Sequence, residues 1–332
     1  MFFLKYFKSI SLFSIITILS QYIYSQDIEY YKQMEDSLNR LSHFILYSSN
    51  DNEKNSTNEI LKETLYSTLT SEESFLYNFD SLKNIKVLIP EDKSFKIFTW
   101  FIRRGDGVFE NFGLIQTYND SKKNYLIYPL IDKSDLYPSP ENMVGDADNW
   151  FGAVYYKIIT QEINKKKYYT LLGWDGNNRY KQRKIIEVLT FKNNGNPVFG
   201  SKVFKKYINK NAVRVIFEHS ANSVMSLKFE TQYLDIKTNK RDPVTKQYIF
   251  KKKKAEMIVF DRLLPINDSM KDIYEFYVPE TNLQDAFLPI DGKWQFKENV
   301  DARNPINKKT NTIEKKFTNK NKKHYSPKTN IN

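Results

Sequence analysis

The sequence predicts a mostly β protein: a large antiparallel meander, built as a twisted sheet, a sandwich or an open barrel, preceded by a short helical segment. Three observations carry this. From about Ile85 the chain is a succession of long apolar runs, among them "FKIFTWFIRR" (95–104) and "KIIEVLTF" (184–191). The connectors "INKKK", "NNGN" and "SANS" are short and read as hairpin loops, and successive hairpins imply antiparallel pairing rather than βαβ units. In "VMSLKFE", Met225, Leu227 and Phe229 alternate with Ser226, Lys228 and Glu230, the pattern of a strand with one wet face.

Taken in order, residues 1–25 read as a signal peptide. Lys5 and Lys8 form a positive n-region, Ser9–Leu19 is an apolar run too short to span a bilayer as a lone helix, and small Ser25 precedes a cleavage point at Gln26. Export to the periplasm, cell surface or exterior follows as an expectation. No later run reaches the ~18 apolar residues of a transmembrane helix. Segment 26–80 reads as helical. Tyr31, Met34, Leu38, Leu41 and Ile45 mark one apolar face, the polar stretch 48–58 reads as a break, and a second helix is expected over 59–69. "SEES" (71–74) would open a further short turn.

The β-domain is expected over 81–304. Its runs lie at 95–104, 108–118, 123–131, 153–163, 167–174, 184–191, 197–204, 213–220, 224–232 and 256–264, with shorter ones near Tyr274–Tyr277 and Trp294–Phe296. No fixed repeat of propeller length is present. Residues 305–332 are rich in Lys and Asn, poor in hydrophobes, and expected to be disordered.

The chain contains no cysteine, which excludes disulfides, thiolate metal sites, cysteine nucleophiles and a cysteine-linked lipid anchor. An exported domain of this kind must rely on a large core, and its aromatic and aliphatic content is sufficient. The net charge of +12 is concentrated at the ends. The signal segment and the tail account for most of it and leave 27–304 near neutral, so a specific nucleic-acid protein is not expected. The tail's lysines would meet anionic surfaces.

The ordered series "LLGWDGNN", "IIEVLTF", "NGNPVFG", "VRVIFEHSANSVMSLKFE", "IVFDRLLP", "YVPETNLQDAF" and "GKWQFKENVDARN" resembles a family of uncharacterised exported proteins of Bacteroidetes-type genomes, over about residues 85–304. The resemblance implies a secreted location and no known activity, cofactor or catalytic residue. A tyrosine commonly stands in that family where this chain has His219, which argues against a catalytic role there.

Catalytic signals are sparse. Of three histidines, only His219 falls in the β-domain, and its neighbour Ser220 should point to the opposite face of the strand, away from any nucleophile–base pairing. Walker and dinucleotide glycine patterns are absent. "GDADNW" gathers Asp146, Asp148 and Asn149 in a loop whose oxygens suit calcium weakly, without the glycine and glutamate of an EF-hand loop; an Asx turn is the plainer reading. "RGD" (104–106) reads as a hairpin tip. Asp175, Glu187, Glu218 and Asp261 are carboxylates on or near strands, the raw material of a glycan hydrolase if two converge. "LLGWDGNN" (171–178) is first a turn between antiparallel strands. Trp174 would serve as a core plug or stacking platform, with Asp175, Asn177 and Asn178 supplying hydrogen bonds to a ligand. The expected function is a non-enzymatic envelope protein that binds a protein or glycan partner, with an envelope-glycan hydrolase as the alternative.

Overall fold

The computed structural model describes residues 27–119 and 123–300; the expected signal peptide 1–25 and the expected disordered tail 305–332 lie outside the described residues. The chain begins with two helices, α1 (27–47) and α2 (Asp51–Leu69). The expected polar break shrinks to residues 48–50, because Asn50 caps α2 by accepting from the backbone N–H groups of Asn52 and Glu53. The residues of "DNEKNSTN" are therefore helical. Lys54 and Asn58 are buried because each meets a partner on the sheet below: Lys54 Nζ donates to the Arg103 carbonyl at 2.6 Å, and Trp100 Nε1 donates to Asn58 Oδ1 at 2.7 Å. The "SEES" turn forms as a 3-10 turn at Glu73–Phe75.

Three sheets follow, mostly antiparallel as expected. The first has the order β1 (Lys86–Leu88), β2 (Phe95–Arg103), β3 (Phe109–Asn119), β4 (Asn124–Ile131). The second is built from β5 (Val154–Ile163), β6 (Lys166–Asp175), β7 (Lys181–Phe191) and β10 (Val215–Ser220), with β8 (Pro197–Phe199) pairing beside β7. The third joins β11 (Leu227–Arg241), β12 (Tyr248–Pro265), β13 (Tyr277–Ile290) and β14 (Lys293–Lys297) to β9 (Phe204–Lys205), the last pair parallel.

Alternation along the strands stacks these sheets in layers. In β2, Phe98, Trp100 and Ile102 face the helices, while Phe95 and Ile97 face the second sheet. In β6 and β7, Leu171, Ile185 and Leu189 join the core shared with the first sheet, whereas Leu172, Ile186 and Val188 join the core shared with the third. The first two sheets are thus buried on both faces, and the one-wet-face pattern of "VMSLKFE" belongs to the outermost sheet. There Met225, Leu227 and Phe229 turn inward. Among the described residues no helix is long and apolar enough to cross a membrane.

The turn chemistry is that of tight hairpins. Asn164 and Lys165 both have positive φ between β5 and β6, as do Asp291 and Gly292 between β13 and β14, the two-residue turn geometry that matches strand twist. Other connections differ from expectation. "SANS" joins β10 to β11, which lie in different sheets, so it is a crossover and not a hairpin loop. The run 197–204 divides between β8 and β9, and the Tyr274–Tyr277 run is a 3-10 turn leading into β13, a long strand that its interrupting proline and polar residues concealed.

One buried ion pair pins the second sheet to the segment that leads into it. Glu187 of β7 accepts from Arg214 Nε at 2.7 Å, and both side chains are 0% exposed. Three of the four remaining guanidinium protons go to the carbonyls of Pro140, Met143 and Phe199. Burial pushes the Glu187 carboxyl up, and the arginine opposes that shift. Removing one member leaves the other charged and unpaired. Arg214→Met alone should therefore destabilise the protein by about 3–5 kcal/mol in denaturant unfolding, and the double variant with Glu187→Met should recover most of the loss.

Candidate functional site

A cavity of about 920 Å³ opens where α2, β3, the end of β4 and the β6–β7 turn approach one another. Tyr66, Phe112, Leu130 and Leu136 contribute apolar and aromatic wall, and Phe109 lines it beside the turn. Its polar floor is assembled from four separate pieces of chain. Asp175 ends β6, Asn111 comes from β3, Asp132 follows β4, and Arg183 comes from β7.

The floor is closely bonded. Asn111 Nδ2 donates to Asp175 Oδ1 at 2.9 Å and reaches Asp132 Oδ2 at 3.4 Å, so one amide nitrogen bridges two carboxylates. Asp175 Oδ1 also accepts from the Asn177 N–H, and Asp175 Oδ2 accepts from Arg183 Nη1 at 3.2 Å. Arg183 Nε donates in turn to Glu218, which also binds Lys181. Asp132 is held by the backbone N–H groups of Ser134 and Gly152. A Cβ at Gly152 would overlap the Asp132 carboxylate, and one at Gly176 would strike the Phe109 ring, so both positions require glycine for close approach. Two buried polar atoms of lining residues, Asn111 Oδ1 and Asn177 Nδ2, have no hydrogen-bond partner among the described residues. Buried polar atoms of this kind are normally satisfied, and an orphan acceptor and an orphan donor on residues of one lining mark a place for a polar ligand or water.

Burial pushes the Asp175 carboxyl up, against the stabilising pull of Asn111, Arg183 and the Asn177 amide. For Glu218 the balance goes the other way: burial raises its pKa, but the bonds from Lys181 and Arg183 win and hold it below the ordinary glutamate value. Arg183 loses by burial and gains more from Glu218 and Asp175, ending higher than usual.

The turn "LLGWDGNN" thus divides its labour. Asp175 and Asn177 line the cavity. Trp174, one residue earlier on the strand, points to the other face. Its ring packs edge-on against Phe101 and Phe109 at 5.4 and 5.5 Å, and its Nε1 donates to Gln182 Oε1. It buttresses Phe109 and does not line the cavity. Asn178 caps the turn by accepting from the N–H groups of Tyr180 and Lys181.

The other carboxylates considered from sequence lie elsewhere. Glu187 is in the core with Arg214, Glu218 sits behind Arg183, and Asp261 accepts from the Ser226 N–H and Gln284 in the third sheet. Arg262 pairs across to Asp285 rather than with its neighbour Asp261. In "GDADNW", Asp146 Oδ1 accepts from both the backbone and side-chain nitrogens of Asn149, an Asx turn, while the Asp148 side chain is exposed. Among the described residues no group of three His, Cys, Asp or Glu is placed to hold a metal ion. The "RGD" tip is docked, with Gly105 N–H on Asp51, Arg104 on Glu110 and Arg179 on the Asp106 carbonyl. His219 is buried, with Nδ1 shared between the Ser220 carbonyl and Ser223 Oγ; Ser220 Oγ accepts from the Asn222 N–H.

Asn111, Asp132 and Arg183 are absent from the sequence-level candidates. The one local signal was a polar residue inside an apolar run, Asn111 in "VFENFGLI". No protein-family model, curated protein or solved structure matches the chain.

The Glu218 network has a pH consequence. A carboxyl whose folded pKa lies below its unfolded value adds stability above the unfolded pKa and loses it as pH falls through the folded one. Asp175, with its raised pKa, contributes the opposite slope as it protonates. Glu218→Gln should therefore lower the thermal midpoint at neutral pH and flatten its fall on acidification through the carboxylate range. Asp175→Asn should steepen that fall relative to wild type. Both follow from thermal melts of the two variants across a pH series.

Proposed function

We propose that the protein is an exported, non-enzymatic binding protein of the cell envelope whose ligand occupies the cavity over Asn111 and Asp175. The observation that carries the binding reading is the pair of orphaned polar atoms, Asn111 Oδ1 and Asn177 Nδ2, in the lining of a cavity of about 920 Å³. That volume lies in the range of small-molecule sites, and the lining sets aromatic and aliphatic wall beside a dense set of polar and charged groups, which suits a polar ligand with an apolar face. Tyr66, Phe109 and Phe112 offer ring faces, while planar amide, carboxylate and guanidinium groups offer donors and acceptors in fixed directions. Alternating hydroxyls on an apolar ring would use both, so a sugar or short envelope glycan is the ligand class. The N-terminal signal segment supports the exported location.

A hydrolase is the second reading, favoured by one observation: Asp132 and Asp175 share the Asn111 amide. Retaining glycosidases hold two carboxyl groups about 5–5.5 Å apart. Against this, Asp175 is only 2% exposed and both its oxygens already accept from protein donors, which suits a positioning group better than a proton donor to substrate.

A thermal-shift panel of envelope sugars and peptidoglycan fragments separates these readings. A ligand specific for the native state raises the midpoint by a stabilisation that grows as RT ln(1 + L/Kd), with L its free concentration. Leu136→Trp, at an exposed position on the cavity wall, should abolish the shift without altering the unliganded midpoint, and Asn111→Ala should weaken binding by about tenfold, the loss of one buried hydrogen bond. A sugar that shifts the midpoint and is also cleaved, with cleavage lost in Asp175→Asn, would establish the hydrolase instead. No shift from any sugar would overturn the glycan assignment.

A further inference from the structure

The longest hairpin in the protein leaves the body of the third sheet. β13 pairs with β12 only from Ile258 onward, while Tyr248–Met257 pair with β11 alone, from Glu230↔Met257 out to Arg241↔Tyr248. The outer half of this hairpin is therefore a two-stranded arm. Isolated two-stranded ribbons are marginal in water, so this one needs local support. Arg241 donates to the Tyr248 hydroxyl and stacks over its ring, and Lys237 sits 3.5 Å from the same ring centroid. Asp242 closes the tip by accepting from the N–H groups of Val244 and Thr245, and Thr238 Oγ1 binds the Ile249 carbonyl.

The arm's composition differs from the rest of the body. Over 231–256 it carries Lys237, Lys240, Arg241, Lys246 and Lys251–Lys254 against Asp235, Asp242 and Glu256. All eight basic residues are exposed, and among the described residues none makes a salt bridge. The near-neutrality of 27–304 thus conceals a basic arm on a slightly acidic body. The apolar residues are concentrated toward the tip. Val244 is 86% exposed and Phe250 57%, with Tyr248 and Ile249 also in water. The four consecutive lysines 251–254 follow directly behind them, pointing alternately to both faces of the ribbon.

We infer that this hairpin is a membrane-docking arm that inserts its Val244–Phe250 tip into the headgroup layer of an anionic lipid surface, with Lys251–Lys254 as a collar on the phosphates. An apolar, aromatic tip ringed by lysines matches the two components of such a surface. Tyr and Phe settle at the interface, and long lysine stems let ammonium groups reach the phosphates while their methylenes stay in apolar surroundings. A polyanion without an apolar layer, such as nucleic acid, would use the lysines and leave Val244 and Phe250 without a role. The arm and the cavity involve different residues, so this inference stands apart from the ligand assignment.

The test is co-sedimentation of the full chain with vesicles of phosphatidylcholine alone and of phosphatidylcholine mixed with phosphatidylglycerol. Binding is expected to the mixed vesicles and not to the neutral ones, and to weaken with salt. Each basic residue near such a surface strengthens partition by about fivefold, so replacing Lys251, Lys252, Lys253 and Lys254 by Gln should cost about a hundredfold or more. Val244→Ser with Phe250→Ser should weaken binding without changing its salt dependence. A control chain with Lys→Gln only in 305–332 should keep the arm-dependent part. Equal binding to both vesicles, binding unchanged in the Lys251–Lys254 variant, or loss only in the tail variant would each overturn the inference. So would tighter binding to duplex DNA than to mixed vesicles, lost in the lysine variant and indifferent to Phe250→Ser. The substituted side chains of the arm are exposed, so the thermal midpoint of the arm variants should stay unchanged and confirm folding.

Discussion

The bond between Arg214 and Glu187 is the interaction that holds the crossover from the first sheet against the second. Arg214 lies just before the strand at the edge of the second sheet, and its guanidinium reaches the carbonyls of Pro140 and Met143 in the segment that carries the chain from the first sheet to the second. Its planar group also lies over the rings of Tyr137 and Phe151. A fully buried guanidinium is costly unless its charge and protons are matched, and here one carboxylate and three carbonyls match them. A lysine, with a single point of charge, could not satisfy groups arrayed around a plane.

The cavity over Asn111 and Asp175 takes its shape from that connection. The same segment contributes Asp132 and Leu136 to the cavity, and backbone bonds join Ile131 to Ala147 and Trp150. Opposite it, the tight approach at Gly152 sets the Asp132 carboxylate in place, and the Phe109 ring over Gly176 packs the turn after Asp175. The floor is thus carried by rigid strands and a pinned crossover. Such placement suits recognition, where donors and acceptors must be fixed before the ligand arrives.

Charge shows how position outweighs sum. The net charge of the central region is small, yet the hairpin arm and the Arg183–Glu218–Asp175 network separate the charges by role. Inside, Arg183 and Arg214 are matched to carboxylates, and the buried Lys96 ammonium is held by the Ser74 and Tyr77 carbonyls. On the arm, the exposed lysines are solvated and turned toward whatever surface the arm meets. A residue count averages these two populations and hides both.

The sequence by itself determined the strand-rich architecture, the antiparallel pairing, most strand positions and the absence of disulfides, because side-chain alternation and turn chemistry are local properties. It also singled out "LLGWDGNN", of which Asp175 and Asn177 line the cavity while Trp174 and Asn178 build its support. Helix 51–69 began earlier than its composition suggested, since Lys54 and Asn58 look solvated until Arg103 and Trp100 are beneath them. The lysine-rich half of the long hairpin falls outside the predicted runs 224–232 and 256–264 for the same reason: its strand character comes from the partner across the ladder. Tertiary structure alone decided that Asn111, Asp132, Asp175 and Arg183 meet, and that Glu187 binds Arg214. Asp175 meets Arg183 across the β6–β7 ladder, and Arg214 lies beside Glu187 one step past Val215↔Ile186, so long-range strand register makes those pairs; only the stacking of the first sheet on the second brings Asn111 and Asp132 to Asp175.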